Sequence, residues 1–468
     1  MDSERGFIRQ ASPRTSHTSP KGDLMAARKT VGQRLALGNV VLTLLGINGG
    51  LAIGMAMLHQ PVSDWSDPSL AVTALSRVMA MLGTYFALCC LVLIARVPWL
   101  ENAIGQDRLV KWHRTLAPYS LYLILGHVLL VSLGYSFLDQ INAWNELWRL
   151  ILITGWMMPA FVGFVFMMMV GVTSYKRARS KMRYETWWLL HLYSYLGIAL
   201  AFGHQITSSQ FFATNDKARY WWVAMYLFVI VFIVGFRIAI PLLQSMRHDL
   251  RVEKVIKENH DTISIVVRGK DVARLAAQGG QFFAWRFLQS NAWWEAHPYS
   301  LSASPRNDRL RITVKNLGDH SGWMKKLKPN TRVLIEGPYG VFTADQVQSK
   351  KVALIAGGVG ITPIRAIMEE LPRGTDIDLI WRASKTDDLI LNEEVKELAE
   401  LHKARIHYMV GSRKQFPMSP GRIRATVPHI AQCDVFMCGP DSMIQQSRAA
   451  LLSIGVHEDN IHDEAFAY

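Results

Sequence analysis

Long apolar runs and short polar breaks alternate through the first half of the chain, and a different rhythm governs the rest. Six runs, at roughly residues 35–58, 70–95, 113–136, 149–173, 186–207 and 219–244, are each long enough to cross a bilayer core, which takes about 20 apolar residues. From about Arg251 the runs shorten to strand length. "TISIVVRG", "QFFAWRFL", "LRITVKN" and "TRVLIEG" alternate apolar and polar positions, which suits a small antiparallel barrel. After residue 350 buried strands alternate with helical periodicity, beginning with "KVALIAGGVGITPIRAIMEEL", the mark of an α/β layer. The pattern predicts a membrane α-helical bundle of six transmembrane helices (35–246), a β-barrel (250–346) and an α/β domain (350–468), behind a disordered tail (1–34).

The breaks orient the runs. "RVPWLENAIGQDRLVKWHR" and "SYKRARSKMRYE" are dense in Lys and Arg, whereas "HQPVSDWSDPS", "SFLDQINAWNELW" and "QITSSQFFATNDK" are nearly free of them. Basic and acidic breaks alternate as the positive-inside rule requires. A multi-pass cell-membrane protein with both termini and the soluble half in the cytoplasm follows. The tail is too long for a cleavable signal peptide and has no small-residue cleavage site. The net charge of +14 sits largely in that tail and the basic breaks, and no nucleic-acid motif accompanies it. The expected partner is the lipid bilayer, not nucleic acid. Four cysteines add no framework: Cys89 and Cys90 are adjacent in an apolar run, Cys433 and Cys438 belong to a late strand, and none has zinc-type spacing.

Histidines inside apolar runs change the picture more. His113 and His127 lie on the third run, His191 and His204 on the fifth. An ionisable side chain is expensive in hydrocarbon and marks a functional site there. The members of each pair stand fourteen and thirteen residues apart, roughly 20 Å along a helix at about 1.5 Å per residue. Both runs cross in the same direction, so His113 is level with His191 and His127 with His204. Each level can supply two axial imidazoles to one haem iron. Fourteen residues return nearly to the same helix face, while thirteen land about 140° away. An irregular helix near Gly203 is therefore expected.

Paired histidines on the third and fifth of six helices resemble the ferric reductase/NADPH oxidase superfamily. The resemblance implies two b-type haems held by His113, His127, His191 and His204. Arg77, the charge in "SLAVTALSRVMAML", is expected near the outer haem, with a propionate as its anion. The oxidase branch carries a basic residue on this helix near where oxygen is reduced. A second histidine often found one turn beyond the outer ligand in that branch is replaced here by Val131.

The soluble half carries further motifs. "HPYSLSAS" sets His297, Pro298, Tyr299 and Ser300 at a strand end, and "KNLGDHSGWMKKL" sets Gly318 and Ser321 at a helix start, with Lys315 nearby. Free N–H groups at a helix start suit a pyrophosphate. Gly357, Gly358 and Gly360 form a turn that lets a phosphate approach the backbone closely. It leads into a helix with Thr362 as expected N-cap and Pro363 as first residue. "MCGP" contributes Cys438, Gly439 and Pro440, and the chain ends "HDEAFAY". In order and spacing these segments resemble the ferredoxin–NADP reductase superfamily, whose flavin motif usually opens with Arg where His297 stands. The resemblance implies an FAD-binding barrel and an NADPH-binding α/β domain. Tyr299 would pack on the isoalloxazine, Ser300 bond near its N5, Cys438 lie beside the nicotinamide, and Phe466, with Tyr468 as rival, cover the flavin. Arg382 in "LIWRAS" and Arg413 in "VGSRKQ" stand where an acidic residue would select a free ribose, which favours NADPH.

Together these expectations describe an NAD(P)H oxidase or ferric reductase-type enzyme. Electrons pass from cytoplasmic NADPH through FAD and two haems to dioxygen outside, giving superoxide. A ferric chelate as acceptor, or a b-type cytochrome serving a partner protein, uses the same path. A non-catalytic membrane protein with a decayed reductase half is opposed by the intact glycine turn, HPYS and CGP segments. No EF-hand pattern is present.

Overall fold

The computed structural model describes residues 31–58, 65–182, 184–208, 212, 214–289, 295–306, 308–316 and 319–466. Contacts divide the chain into two compact units at Ile238/Ala239. The expected tail, apart from its last four residues, lies outside the described residues, as do Gly318 and Tyr468.

The first unit is helical: α1 (Val31–Leu58), α2 (Pro68–Leu93), α3 (Pro98–Ile104), α4 (Gln106–Asp139), α5 (Ala143–Ile153), α6 (Met157–Ser174), α7 (Lys176–Arg179), α8 (Tyr184–Ser208) and α9 (Asp216–Ile233). Helix α1 thus begins within the expected tail. Polar breaks supply the helix starts. Asp67 accepts from Ser69 N at 2.8 Å with Pro68 as first residue of α2, and Asn215 accepts from Ala218 N at 3.1 Å at the head of α9. Surface apolarity is inverted relative to a water-soluble bundle. Leu129, Leu152, Ile153, Val172 and Val231 are 60–75% exposed, as lipid contact demands.

Among the described residues five helices are long and apolar enough to cross a membrane: Gly38–Met57, Pro68–Leu93, Arg108–Asp139, Met157–Ser174 and Asp216–His248. The expected fifth run forms α8, 25 residues long, but His191, Ser194, His204 and Gln205 dilute its apolarity. The expected fourth run, 149–173, is interrupted. Residues 154–156 break the helix, with Trp156 at φ 65°, so α5 is separate from α6. The irregularity expected near Gly203 is absent, since α8 is unbroken α-helix; a π-helical turn lies instead at Val234–Ala239. Pro118, inside α4, leaves the Arg114 carbonyl without its intrahelical donor.

Helices α2 and α4 pack along each other, as do α6 and α8. At the second contact Gly163 and Gly197 bring backbones together; a Cβ on Gly197 would stand 2.9 Å from Gly163 O. Small residues are how apolar helices approach in lipid.

The second unit holds the strands. Where one barrel is expected there are two three-stranded antiparallel sheets. One has β1 (Arg251–Lys257), β2 (Thr262–Arg268) and β5 (Arg309–Lys315); the other has β4 (His297–Ser300), β3 (Phe282–Phe287) and β6 (Val333–Tyr339). Isolated bridges Arg251–Arg332 and Leu301–Ile312 link them. Their alternating apolar positions share one core, centred on Phe283, Trp285, Ile265 and Ile312.

A five-stranded parallel sheet follows, ordered β11 (Ile461–Phe466), β10 (Asp434–Pro440), β7 (Lys351–Gly357), β8 (Asp376–Ala383), β9 (Arg405–Val410). Val352, Leu354 and Ala356 pack into one apolar layer, Ala353 and Ile355 into the other. Both faces are covered, which explains why these strands read as continuous apolar runs. Chain order reverses between β7 and β10. In such sheets the crevice beyond the carboxyl ends at the reversal is where ligands bind.

Candidate functional site

Helices α4 and α8 carry the four histidines, each half-buried. These two helices pack on α2 and α6 and not closely on each other, so their histidines project into the space between them. The rings of His113 and His191 stand 6.2 Å apart, centroid to centroid, at 60°. Two metal–nitrogen bonds of about 2 Å laid end to end, with half a ring at each side, need about 6.3 Å. This pair therefore fits an iron between two imidazoles. His127 and His204 are close enough for their charges to interact, and His127 feels Arg77 as well.

Hydrogen bonds orient the rings. His113 Nδ1 lies 3.2 Å from Cys90 O and His127 Nδ1 3.0 Å from Ser76 O. A carbonyl only accepts, so Nδ1 carries the proton and Nε2 keeps its lone pair. His191 Nδ1 is 3.3 Å from Ser174 Oγ, which also accepts from Trp187 Nε1 at 3.2 Å. His204 Nδ1 has the Ala201 carbonyl one turn back beside it but makes no well-formed hydrogen bond. No periodicity in the sequence reveals these partners, because all but Ala201 lie on other helices.

In the second unit, β4 pairs with β3, setting Tyr299 opposite Phe283 and Ser300 opposite Phe282. Tyr299 packs against the core that the two sheets share, and burial pushes its phenol up, so it stays protonated. His297 Nε2 stands 3.4 Å from Glu295, Pro298 is exposed and Ser300 buried. Lys315, expected to add charge for a pyrophosphate, is engaged by Asp388 at 3.1 Å and Asp261 at 3.4 Å. Those two carboxylates outweigh burial and hold its ammonium above its usual range. Ser321 bonds Asn316 at 3.4 Å.

The glycine turn is more differentiated than expected. A Cβ on Gly360 would collide with Cys438 O, and one on Gly357 would stand 2.7 Å from Met443. These two glycines let the turn that follows β7 close against the end of β10 and the helix after it. Gly358, at φ +56° with open space around it, is the one that presents backbone to the crevice. Thr362 does not cap: the helix Ile361–Glu370 starts two residues earlier than expected, and Thr362 Oγ1 donates to Val359 O at 3.0 Å, leaving Pro363 in the third position. Cys438 is fully buried, and burial, with Glu464 nearby, holds its thiol well above the usual range. What Cys438, Gly439 and Pro440 offer the crevice is therefore chiefly backbone. In β11 the Phe466 backbone lies opposite Pro440, at the same end of the sheet.

Arg382, one residue before the end of β8, bonds Phe416 O. Burial, and then the charge of Arg413, lowers its guanidinium pKa, so the two cations lie near one another.

A charge network ties flavin-side strands to nucleotide-side helices. Arg311 on β5, 2% exposed, bonds Glu394 at 2.7 and 2.8 Å and Ser302 O at 2.8 Å. Arg365, 1% exposed, lies 3.0 Å from Glu394 and pairs with Glu369, which also holds Arg306. Glu370 accepts from Ser304 Oγ at 2.6 Å and Gly279 N at 2.7 Å. The helix that opens at the glycine turn thus holds the segment that follows HPYS. Only the Arg365–Glu369 pair, four residues apart, is legible in sequence.

Residues 79–202 match the family described as ferric reductase like transmembrane component, 247–343 an FAD-binding domain and 354–449 an oxidoreductase NAD-binding domain. The chain has the NADPH oxidase/ferric reductase architecture. A ferric reductase-like transmembrane region is thus followed by FAD- and NAD-binding reductase domains. The chain is 24% identical over 237 residues to the glycine betaine monooxygenase reductase subunit of Chromohalobacter salexigens, covering 47% of this chain and 64% of that protein. It is 27% identical over 228 residues to NADH-cytochrome b5 reductase 1 of Dictyostelium discoideum, covering 46% and 77%. The flavohem-like FAD/NAD-binding domain of a Vibrio cholerae nitric oxide dioxygenase is 21% identical with a TM-score of 0.41, covering 47% of this chain and 99% of that one. The chain thus spans less than two-thirds of the first of these relatives.

Proposed function

We propose that this protein moves electrons from cytoplasmic NADPH through FAD and two b-type haems, across a six-helix membrane domain, to dioxygen, releasing superoxide outside. One NADPH supplies two electrons, so two dioxygen molecules become two superoxide ions, leaving NADP⁺ and a proton. The observation that carries the reading is the pair of His113 and His191 rings, 6.2 Å apart between two helices not packed on each other. When bound, flavin converts a hydride into single electrons and haem relays them one at a time.

Everything else is the work of this chain's own groups. His113 and His191 hold the inner iron, His127 and His204 the outer, and the carbonyls of Cys90 and Ser76 fix two of the rings with Nε2 free. Tyr299 and Ser300 would hold the flavin at the end of β4, beside the core that the two three-stranded sheets share. Lys315, Gly318 and Ser321 belong to its pyrophosphate side, and binding there draws Lys315 from Asp388. Gly358 brings backbone to the nucleotide phosphates, the helix carrying Thr362 and Pro363 opening beneath them. Arg382 and Arg413 pair with the 2′-phosphate of NADPH, Gly439 and Pro440 border the nicotinamide, and Phe466 covers the flavin until hydride transfer. Arg77 stabilises anionic groups beside the outer haem. The basic breaks keep both termini cytoplasmic.

The test is cytochrome c reduction by purified protein given NADPH and FAD, with and without superoxide dismutase. Suppression by dismutase is expected, and Arg77→Ala should lower that rate while sparing flavin reduction. A ferric-chelate reductase is the second reading, favoured by Val131 in the oxidase histidine position and by the description of the family matched over residues 79–202. Activity that dismutase does not suppress, with fast anaerobic reduction of ferric chelate, selects it.

A further inference from the structure

The histidines of α4 and the first histidine of α8 are held in different ways. His113 Nδ1 faces the Cys90 carbonyl and His127 Nδ1 the Ser76 carbonyl, both on α2. His191 is held by side chains. Its Nδ1 lies 3.3 Å from the hydroxyl of Ser174, the last residue of α6. Its ring packs on the Trp187 indole, centroids 4.9 Å apart at 35°, as residues four apart on one helix face do. Trp187 Nε1 donates to the same Ser174 Oγ at 3.2 Å. Serine, indole and imidazole thus close a triangle of contacts.

The indole is itself anchored. Arg179 Cζ stands 4.7 Å from its centroid, a cation–π distance, and Arg179 Nη1 donates to Met182 O at 3.2 Å. An indole N–H only donates and a hydroxyl oxygen has two lone pairs. Ser174 Oγ can therefore accept from Trp187 and from His191 Nδ1–H together, which leaves His191 Nε2 its lone pair. An axial imidazole turns easily about a metal–nitrogen bond, so its plane is set by what holds Nδ1–H and what flanks its face. The His113 and His191 rings stand at 60° to each other.

Resting on the two-haem reading above, we propose that Ser174 and Trp187 are positioning residues that set the plane of the His191 ring at the inner iron. The angle between two axial imidazole planes controls how the iron d orbitals split, and the low-field resonance of a low-spin ferric haem reports that splitting. His113 is oriented by backbone, so the side-chain clamp on His191 is the half of the site that substitution can change.

The experiment is electron paramagnetic resonance of oxidised full-length protein in detergent, with haem quantitation. The variants are His191→Ala, Ser174→Ala, Ser174→Thr, Trp187→Leu and Trp187→Phe. The resonance lost in His191→Ala marks the inner haem. Ser174→Ala and Trp187→Leu should each move that resonance alone and release that haem to excess apomyoglobin about tenfold faster, the lower end of what losing an outer-shell partner costs. Ser174→Thr keeps the hydroxyl and should restore the wild-type position. Trp187→Phe keeps a ring without the N–H and should shift the resonance less than Trp187→Leu. An unmoved resonance in Ser174→Ala or in Trp187→Leu overturns that residue's role. Equal movement of both haem resonances overturns the proposal, because it means general loosening of the bundle. Where Ser174→Ala or Trp187→Leu empties the inner site, the conservative variant decides: a filled site in Ser174→Thr or Trp187→Phe supports the clamp, and an empty one overturns it. A wild-type protein without haem, or a spectrum that His191→Ala leaves intact, sinks the two-haem reading and the proposal with it.

Discussion

Glu394→Gln removes the one carboxylate shared by Arg311 and Arg365, which are 2% and 1% exposed. Breaking a buried ion pair by removing one partner costs about 3–5 kcal/mol. Here the lower end applies, because Arg311 keeps Ser302 and Arg365 keeps Glu369, and Glu394 is itself 22% exposed. About 3 kcal/mol in a unit of this size corresponds to a fall in melting temperature of about 6–12 °C. The assay is release of flavin fluorescence on heating the full-length protein, with the haem spectrum as an internal control for the membrane unit. The pH dependence follows from the same contacts. Burial pulls the Glu394 carboxyl up, but the Arg311 hydrogen bonds and the charges of Arg311 and Arg365 outweigh it and hold it below its usual range. A depressed carboxyl pKa contributes stability in full above the unfolded value of about 4.3, and loses it as pH falls through the lower folded value. The gap between wild type and Glu394→Gln should therefore be widest at neutral pH and narrow below about pH 4. A melting point within 1 °C of wild type at neutral pH would refute the claim that this network locks the flavin strands to the nucleotide helices.

His113→Ala and His191→Ala should each reduce the haem count from two to one and remove the same spectral component; removal of different components would break the pairing of these residues. Arg382→Ala and Arg413→Ala should each raise KM for NADPH about tenfold, the worth of a charged hydrogen bond, and leave KM for NADH nearly unchanged. Equal effects on both nucleotides would mean a structural role for the arginines. Phe466→Ser should change NADPH affinity and the flavin absorption band while both haems remain, and the same change on Tyr468→Ser alone would move the shielding role to that residue.

The order of domains, the histidine-bearing helices and the nucleotide turn were legible in the sequence because each is a local pattern. Apolar length marks a membrane helix, a two-residue period marks a strand, and a glycine at positive φ marks a turn. What failed or stayed hidden depended on neighbours distant in the chain. Thirteen-residue spacing called for an irregular α8, yet α8 is regular and the distortion falls at Val234–Ala239. The thirteen-residue interval fixes only the angle at which two side chains leave one helix. Lys315 read as added charge for a pyrophosphate, and its ion pairs with Asp261 and Asp388, from other segments, had no local signal. Gly357 and Gly360 read as phosphate contacts, and tertiary packing set them against the end of β10 and the helix after it. The carbonyls that set the His113 and His127 tautomers, and the Arg311–Glu394–Arg365 network, have no sequence signal at all, since a backbone carbonyl exists at every position and an ion pair is defined only by distance. Composition and period determined which elements form; only the fold decided which polar groups meet, because burial makes each of them find a partner wherever the packing brings one within reach.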